Sequence, residues 1–98
     1  MRVVTPRRLM EFSIKHPNAK IPLLSWYELT RNTSWHNLAD IKTFFNSVDY
    51  IGNNRYVFNI KGNDYRLITI IIFASQKVYI RFIGTHAEYD KLTNASEV

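Results

Sequence analysis

The sequence predicts an α+β fold in which N-terminal helices pack on one face of an antiparallel β-meander and a short helix follows the last strand. Three runs rich in Val, Ile, Tyr and Phe follow one another over residues 55–83, with Gly62-Asn63 and Ala74-Ser75-Gln76 between them. Such runs joined by short turns are typical of consecutive antiparallel strands. Residues 1–45 carry helix start and stop signals instead, and the length predicts one domain, residues 1–98.

Three helices are predicted in the first half of the chain, after Arg2-Val3-Val4, which suits an added edge strand. Thr5-Pro6 starts the first helix, because threonine can cap a helix and proline at the first helical position loses no hydrogen bond. His16-Pro17 ends it. The second helix runs from Ala19 to Arg31, and Asn37 caps a third, short one. The apolar side chains that we expect to contribute to burial are Leu9, Met10, Phe12, Ile14, Ile21, Leu24, Trp26, Tyr27, Leu29, Leu38, Ala39, Ile41, Phe44 and Phe45.

Alternation along the meander assigns each residue to one face of the sheet. A two-residue turn at Gly62-Asn63 puts Asn59 opposite Arg66, and a turn at Ser75-Gln76 puts Ile70 opposite Arg81. The predicted core face carries Tyr56, Phe58, Ile60, Tyr65, Leu67, Ile71, Phe73, Val78, Ile80 and Phe82. The other face, called the mixed face below, is predicted to carry Arg55, Val57, Asn59, Lys61, Arg66, Ile68, Ile70, Ile72, Tyr79, Arg81 and Ile83.

The segments on either side of the meander are more polar. Residues 46–54 are turn-prone and lead into the first strand of the meander. After it, the pattern Thr85-x-x-Glu88 matches a capping box, so a short terminal helix is predicted to start at His86. Residues 93–98 are polar, and we expect them to fray.

The charge of the chain points to a polyanionic partner. Thirteen Lys and Arg residues against eight Asp and Glu residues leave a net charge of +5, with an isoelectric point near 9.7. The imbalance is sharpest in the meander, where Arg55, Lys61, Arg66, Lys77 and Arg81 face only Asp64.

Several classes of protein are excluded by composition. The chain has no cysteine, which rules out disulfides, thiol catalysis and cysteine-based zinc sites and fits a reducing cytoplasm. We expect no membrane partner, because the start lacks the apolar stretch of a signal peptide and the run from Ile70 to Ala74 is too short to span a bilayer. The glycines form no nucleotide-binding fingerprint, and the three histidines lie in separate elements without paired carboxylates, so no cofactor and no metal are expected.

Four polar residues, Asn59, Lys61, Arg66 and Arg81, fall on the mixed face by period-two geometry. One interpretation is the ordinary solvated face of an antiparallel sheet. Against it, Arg66 and Arg81 lie among isoleucines. A half-buried guanidinium needs an anion, and a phosphate held by two positioned arginines meets that need.

His86 and Tyr89 are three residues apart on the predicted terminal helix and so share one helical face, within reach of the end of the sheet that carries Arg81. Histidine can exchange a proton near neutral pH, while tyrosine can donate to a leaving oxygen or stack on a base. The alternative is that both residues serve only core or helix packing.

At these residues the chain resembles the HigB toxins of bacterial toxin–antitoxin systems, within the RelE superfamily of mRNA interferases. The resemblance covers all but the last few residues. Its most specific parts are Asn59-Ile60-Lys61-Gly62-Asn63 and the His86-x-x-Tyr89 pattern within the ending Gly84-Thr85-His86-Ala87-Glu88-Tyr89-Asp90. The further matching motifs are Gly52-Asn53-Asn54-Arg55-Tyr56-Val57-Phe58, Tyr65-Arg66-Leu67, Tyr79-Ile80-Arg81-Phe82, His16-Pro17 and Trp26-Tyr27.

The resemblance implies a RelE-like fold whose helices cover one sheet face while the other receives mRNA, which is cleaved in translating ribosomes. It implies a cognate antitoxin of the HigA type with a DNA-binding helix-turn-helix, so that operator DNA is contacted only indirectly. It also implies that Arg66 lies at the scissile phosphate, that Tyr89 is the C-terminal aromatic of the site and that His86 takes the place of another basic group. The residues expected to bind RNA are Asn59, Lys61, Asn63 and Arg81.

The chemistry expected of such a site is metal-free. The ribose 2′ oxygen would attack the adjacent phosphorus, Arg66 with Lys61 or Arg81 would stabilise the negative charge, and His86 or Tyr89 would move protons. Relatives with more arginine and lysine at the Thr85-His86-Ala87 position leave the general base open. Two alternatives also stay open: a toxin of the same fold that binds gyrase, and an RNA-binding module without chemistry.

Overall fold

The computed structural model describes residues 1–98 and contains one five-stranded sheet with its helices. The α+β class is confirmed. The elements in chain order are β1 (Arg2–Val4), α1 (Arg7–Lys15), a 3₁₀ turn (Pro17–Ala19), α2 (Lys20–Arg31), α3 (Leu38–Lys42), β2 (Asp49–Gly52), β3 (Arg55–Ile60), β4 (Tyr65–Ile72), β5 (Lys77–Thr85), α4 (His86–Asp90) and a second 3₁₀ turn (Ala95–Glu97).

The strands lie in the order β1-β5-β4-β3-β2, so the predicted meander β3-β4-β5 forms the centre of the sheet. The edge strand expected at the start of the chain is confirmed, and it pairs with β5 in parallel. Strand β2, in the turn-prone stretch 46–54, was not predicted; it pairs antiparallel with β3 and widens the sheet at the other edge.

The register between β3 and β4 is as predicted. Asn59 lies opposite Arg66 and Ile60 lies opposite Tyr65. The connection is four residues long, Lys61–Asp64, rather than two, with the Asp64 N–H donating to the Lys61 carbonyl at 3.2 Å. A turn of either length leaves the pairing unchanged, because its centre stays at Gly62-Asn63.

The predicted register between β4 and β5 is wrong. Ile70 pairs with Tyr79, not with Arg81, because the turn spans 73–76 and Gln76 takes a left-handed conformation at φ 57°. Beyond it, Ile68 pairs with Phe82 and Thr69 with Ile80, so Arg81 has no partner and forms a β-bulge. A bulge inserts one residue into the alternation and exchanges the two faces beyond it.

Two face assignments therefore fail. Phe82, predicted in the core, lies on the mixed face opposite Ile68. Ile83, predicted on the mixed face, lies opposite Leu67 and packs against the core. The remaining residues of the predicted core face are in or against the core cluster, and Val57 and Ile68 are buried on the mixed face without belonging to that cluster.

Helix ends follow the predictions in part. The Asn37 side chain caps α3 by accepting from the Asp40 N–H at 2.9 Å, as expected. Thr5 does not cap α1, because its backbone is left-handed at φ 64° and the helix starts after Pro6 without a side-chain cap. No helix in the structure is long and apolar enough to cross a bilayer.

The helices cover the core face of the sheet. On α2, the residues that face the sheet differ from those that were expected to be buried. Leu23, Trp26 and Thr30 are buried at i, i+3 and i+7, which is one helical face. The Phe58 ring packs against the rings of Trp26, Trp35 and Phe45, with ring centroids 5.3–6.4 Å apart. The side chains that were expected to be buried and are instead exposed are Met10, Ile14, Ile21, Leu24, Ala39 and Phe44.

Candidate active site

The candidate site lies at the end of the sheet where β3 turns into β4 and β5 runs into α4. Tyr65 pairs with Thr85 and Arg66 pairs with Gly84, so the first residues of β4 adjoin the start of α4. The His86 N–H donates to the Asp64 carbonyl at 3.1 Å, which ties α4 to the β3–β4 turn. The structure therefore brings together Arg66, the turn and the terminal helix.

Arg66 is half-buried on the mixed face and its guanidinium lies over the Tyr89 ring, 5.7 Å from the ring centroid. Its Nη1 is shielded from solvent and has no hydrogen-bond partner. Five buried side-chain atoms lack a partner, and Nη1 is the one that belongs to a charged group. A shielded charged donor without an acceptor costs more than a neutral one, about 1–3 kcal/mol or above. Arg66 therefore holds a shielded, charged donor for which the chain supplies no acceptor.

Gly84 leaves the place opposite Arg66 free of a side chain. A Cβ added there would come within 2.6 Å of the Phe82 ring and 3.0 Å of the Glu88 carboxylate. Phe82 reaches this position because the bulge at Arg81 turned it to the mixed face. The Phe82 ring thus lies over Gly84, the residue that pairs with Arg66.

The predicted capping box on α4 is confirmed. The Thr85 hydroxyl accepts from the Glu88 N–H at 3.1 Å, and the Glu88 carboxylate accepts from the Thr85 N–H at 2.8 Å. This double contact fixes the first turn of a helix of only five residues. The cap determines where His86 and Tyr89 point.

Asp90 contacts the candidate residue His86, although it was assigned no role from the sequence. Its Oδ2 lies 2.9 Å from His86 Nδ1, and both side chains are about half exposed. A carboxylate on Nδ1 orients the imidazole and leaves Nε2 free to exchange a proton with a ligand. The signal was present in the sequence as a histidine and an aspartate at i and i+4 on one helical face.

The residues expected to bind RNA are divided between two places. Asn59 pairs with Arg66, and its Nδ2 donates to the Ser47 carbonyl at 3.4 Å. Lys61 and Asn63 lie exposed in the turn, with Lys61 Nζ 3.3 Å from Asp64 Oδ2. An exposed pair of this kind contributes little and exchanges readily for a stronger anion. These three residues adjoin Arg66.

Arg81 lies apart from this group, in the bulge of β5, and its Nε donates to the Val98 backbone oxygen at 3.2 Å. Arg55 of β3 donates to the same oxygen, so both side chains lie over the mixed face with Arg66. The expectation that residues 93–98 fray is wrong, since Ala95–Glu97 form a 3₁₀ turn anchored by these arginines. Of the two arginines Arg66 and Arg81, Arg66 is the one whose guanidinium lies over the Tyr89 ring.

A second concave surface lies on the helices rather than on the sheet. The groove between α1 and α2 has a volume of about 430 Å³ and is lined largely by Leu9, Met10, Leu23, Leu24 and Tyr27, with Arg7 and Lys20 at its rim. It is mostly apolar, and its ionisable side chains are Arg7, Lys20 and Tyr27. Neither of the candidate residues Arg66 and His86 lies in it.

The chain is similar over most of its length to one protein family and to individual relatives. The family described as HigB_toxin, RelE-like toxic component of a toxin-antitoxin system, matches residues 19–92. The mRNA interferase HigB of Escherichia coli O6:H1 (strain CFT073) is 32% identical over 95 residues, covering 95% of this chain and 92% of that protein. The mRNA interferase toxin HigB of Escherichia coli K12 is 33% identical over 96 residues, covering 95% and 91%.

Proposed function

The chain belongs to the HigB family of RelE-like toxins, the toxic components of toxin–antitoxin systems, and on this premise we propose that it is an mRNA interferase, an endoribonuclease that cuts mRNA. The observation that carries the proposal is Arg66, whose shielded Nη1 has no acceptor in the chain. A guanidinium binds a phosphate through parallel, charge-assisted hydrogen bonds. Its position beside a histidine and a tyrosine supports cleavage of the bound strand and not binding alone.

The reaction that suits these groups is attack of a ribose 2′ oxygen on the adjacent phosphorus. The bond from phosphorus to the 5′ oxygen breaks as the new bond forms, which leaves a 2′,3′-cyclic phosphate and a 5′ hydroxyl. One proton leaves the 2′ hydroxyl and one reaches the departing 5′ oxygen, and we propose that His86 or Tyr89 makes these transfers. Arg66 stabilises the negative charge that develops on the phosphate, with Lys61 at the same end of the sheet.

We infer that no metal ion takes part, because side chains supply the proton transfers and the positive charge. The contact between the Arg66 guanidinium and the Tyr89 ring supports a role for Tyr89 in holding Arg66 in place as well. The contact between His86 and Asp90 supports His86 as the better-oriented proton-transfer group. Asp90 is then a positioning residue.

We further propose that cutting takes place on translating ribosomes in the cytoplasm and that a cognate antitoxin of the HigA type silences the toxin. The net charge of +5 supports approach to ribosomal RNA. The exposed apolar side chains of α1 and α2, among them Met10, Ile14 and Ile21, support a protein partner that buries them. Co-expression with the neighbouring open reading frame should restore growth and yield a stable complex; growth arrest despite that partner would refute the antitoxin proposal.

The test of the nuclease function uses purified ribosomes programmed with a defined mRNA, with chelator present. We expect discrete cuts with cyclic-phosphate ends, and none in a message whose ribose at the cut site lacks the 2′ hydroxyl. Cutting of the deoxy-substituted message would refute the proposed reaction. No cutting, together with inhibition of DNA supercoiling in a parallel assay, would favour a gyrase-binding toxin instead.

A further inference from the structure

The segment 94–98 is fastened across the mixed face by side chains of the sheet. Asn53 Nδ2 donates to the Ser96 carbonyl at 3.2 Å. Arg55 donates to the Val98 backbone oxygen through Nε at 3.2 Å and Nη2 at 2.8 Å. Arg81 Nε donates to the same oxygen at 3.2 Å. Three guanidinium N–H groups from two arginines therefore converge on one oxygen.

The position of this oxygen follows from the order of the strands. Arg55 lies on β3 and Arg81 on β5, and β4 runs between them. Their backbones are thus roughly 10 Å apart, and an acceptor that both reach lies above β4. Arg66 lies on the same face of β4, opposite Asn59. The shared acceptor and Arg66 are therefore about 7 to 13 Å apart along β4, a distance of two to four residues.

The chemistry of this pair of arginines exceeds what it holds. Neither Arg55 nor Arg81 forms an ion pair with a side-chain carboxylate, so two positive charges share one oxygen of Val98, the last residue of the chain. Guanidinium groups bind phosphate oxygens in the same forked geometry. Phosphate contacts of this kind fix the register of a nucleic acid without reading its sequence.

We propose that Arg55 and Arg81 form a second phosphate subsite for the RNA strand bound at Arg66, and that the Val98 oxygen occupies the place of a substrate phosphate oxygen. The segment 94–98 and RNA then compete for the mixed face, and RNA displaces the segment when it binds. This inference rests on the proposed function, because it extends the same RNA-binding site. It adds Arg55 to the residues that contact the substrate.

The test measures binding of a single-stranded oligonucleotide made non-cleavable by 2′-deoxy substitution, by fluorescence anisotropy over a range of salt. Four proteins are compared: the parent, a chain ending at Thr93, Arg55→Ala, and the two changes combined. Arg31→Ala, an exposed arginine of α2 paired with Glu28, is the matched control. A melting temperature is recorded for each.

Removal of the segment should raise the affinity severalfold, since the fraction of molecules competent to bind increases. Adding Arg55→Ala to the shortened chain should then lower the affinity about tenfold and reduce the slope of log K against log salt by about 0.7, the value for one lost phosphate contact on a single strand. Arg31→Ala should change neither quantity.

Equal affinity of the shortened chain with and without Arg55 would overturn the proposal, because Arg55 would then serve only to hold the segment. A parallel fall in affinity and melting temperature on shortening would overturn it too, since the segment would be part of the fold. Failure of the parent to cut mRNA on ribosomes would refute the nuclease function and is scored separately from binding.

Discussion

On the mixed face, Arg66 keeps a shielded Nη1 without an acceptor, whereas Arg55 and Arg81 direct three N–H groups to one backbone oxygen of the chain. Arg55 and Arg66 are half-buried on the same sheet, whereas Arg81 is exposed. The chain thus supplies an acceptor for the half-buried guanidinium of Arg55. At Arg66 the chain supplies no hydrogen-bond acceptor for Nη1.

The difference has an energetic meaning. An unsatisfied buried donor lowers stability by about 1–3 kcal/mol, and a charged one by more. Arg66 carries this cost and the half-buried Arg55 avoids it, which supports the proposal that Arg66 binds a ligand. Strain of this kind commonly accompanies function.

Among variants that test this difference between the arginines, Arg66→Ala is expected to have the largest effect on the rate of mRNA cutting. Loss of a charge-assisted contact to the transition state should reduce mRNA cutting at least about a hundredfold. The melting temperature should not fall, because the variant also removes a donor that has no partner. Arg31→Ala, which removes an exposed arginine of α2, is the control. Full activity in a folded Arg66→Ala protein would show that Arg66 is only a surface charge.

The second-largest effect is expected from His86→Ala. This variant should cut mRNA about a hundredfold more slowly if the imidazole transfers a proton. The chain supplies a matched control in His36, which also pairs with an aspartate at i+4, with Nδ1 3.5 Å from Asp40 Oδ2. His36→Ala should leave the rate unchanged. Equal rates for the two variants would move the proton transfer to another residue, with Tyr89 and Lys61 the next to test.

Asp90→Asn should reduce cutting about tenfold, less than removal of His86, because it alters the orientation of the ring and leaves the ring present. Binding of the non-cleavable oligonucleotide should stay unchanged, which separates positioning from affinity. A loss of binding that matches the loss of rate would instead place Asp90 in the folding of α4.

Variants of Tyr89 distinguish two roles for this residue: holding the Arg66 guanidinium by a cation–π contact, or donating a proton as an acid. Tyr89→Ala should slow cutting about fivefold to thirtyfold, the range expected when a ring that holds a guanidinium contributes about 1–2 kcal/mol. Tyr89→Phe keeps the ring and should be silent unless the hydroxyl delivers a proton. Rates and melting temperatures of both variants decide the matter, and a loss of rate that only follows a loss of stability would mean simple packing.

The parts of the fold that could be read from the sequence are those set by local signals. The Gly62-Asn63 turn fixed the centre of the first hairpin and hence placed Asn59 opposite Arg66. The Thr85 capping box located α4 and its two candidate residues. In both cases the determinant lies within a few residues of the feature it controls.

The parts that could not be read depend on distant contacts. Nothing in the run around Arg81 announces the bulge, which exchanges Phe82 and Ile83 between faces. The stretch 94–98 has no apolar pattern that would predict order, and it is held by arginines far away in the sequence. The buried stripe of α2 was misjudged at Ile21 and Leu24 because the neighbouring element decides which side of a helix is covered.

The parallel pairing of β1 with β5 has a consequence for synthesis. It joins Arg2 to Lys77, so the first strand finds its partner only after most of the chain has been made. α4 follows β5 directly, and His86 and Tyr89 emerge together with the strand that completes the sheet. During most of its own translation, the nascent chain therefore lacks the assembled candidate site. The ribosome must translate the codons for β5 and α4 before the toxin can act.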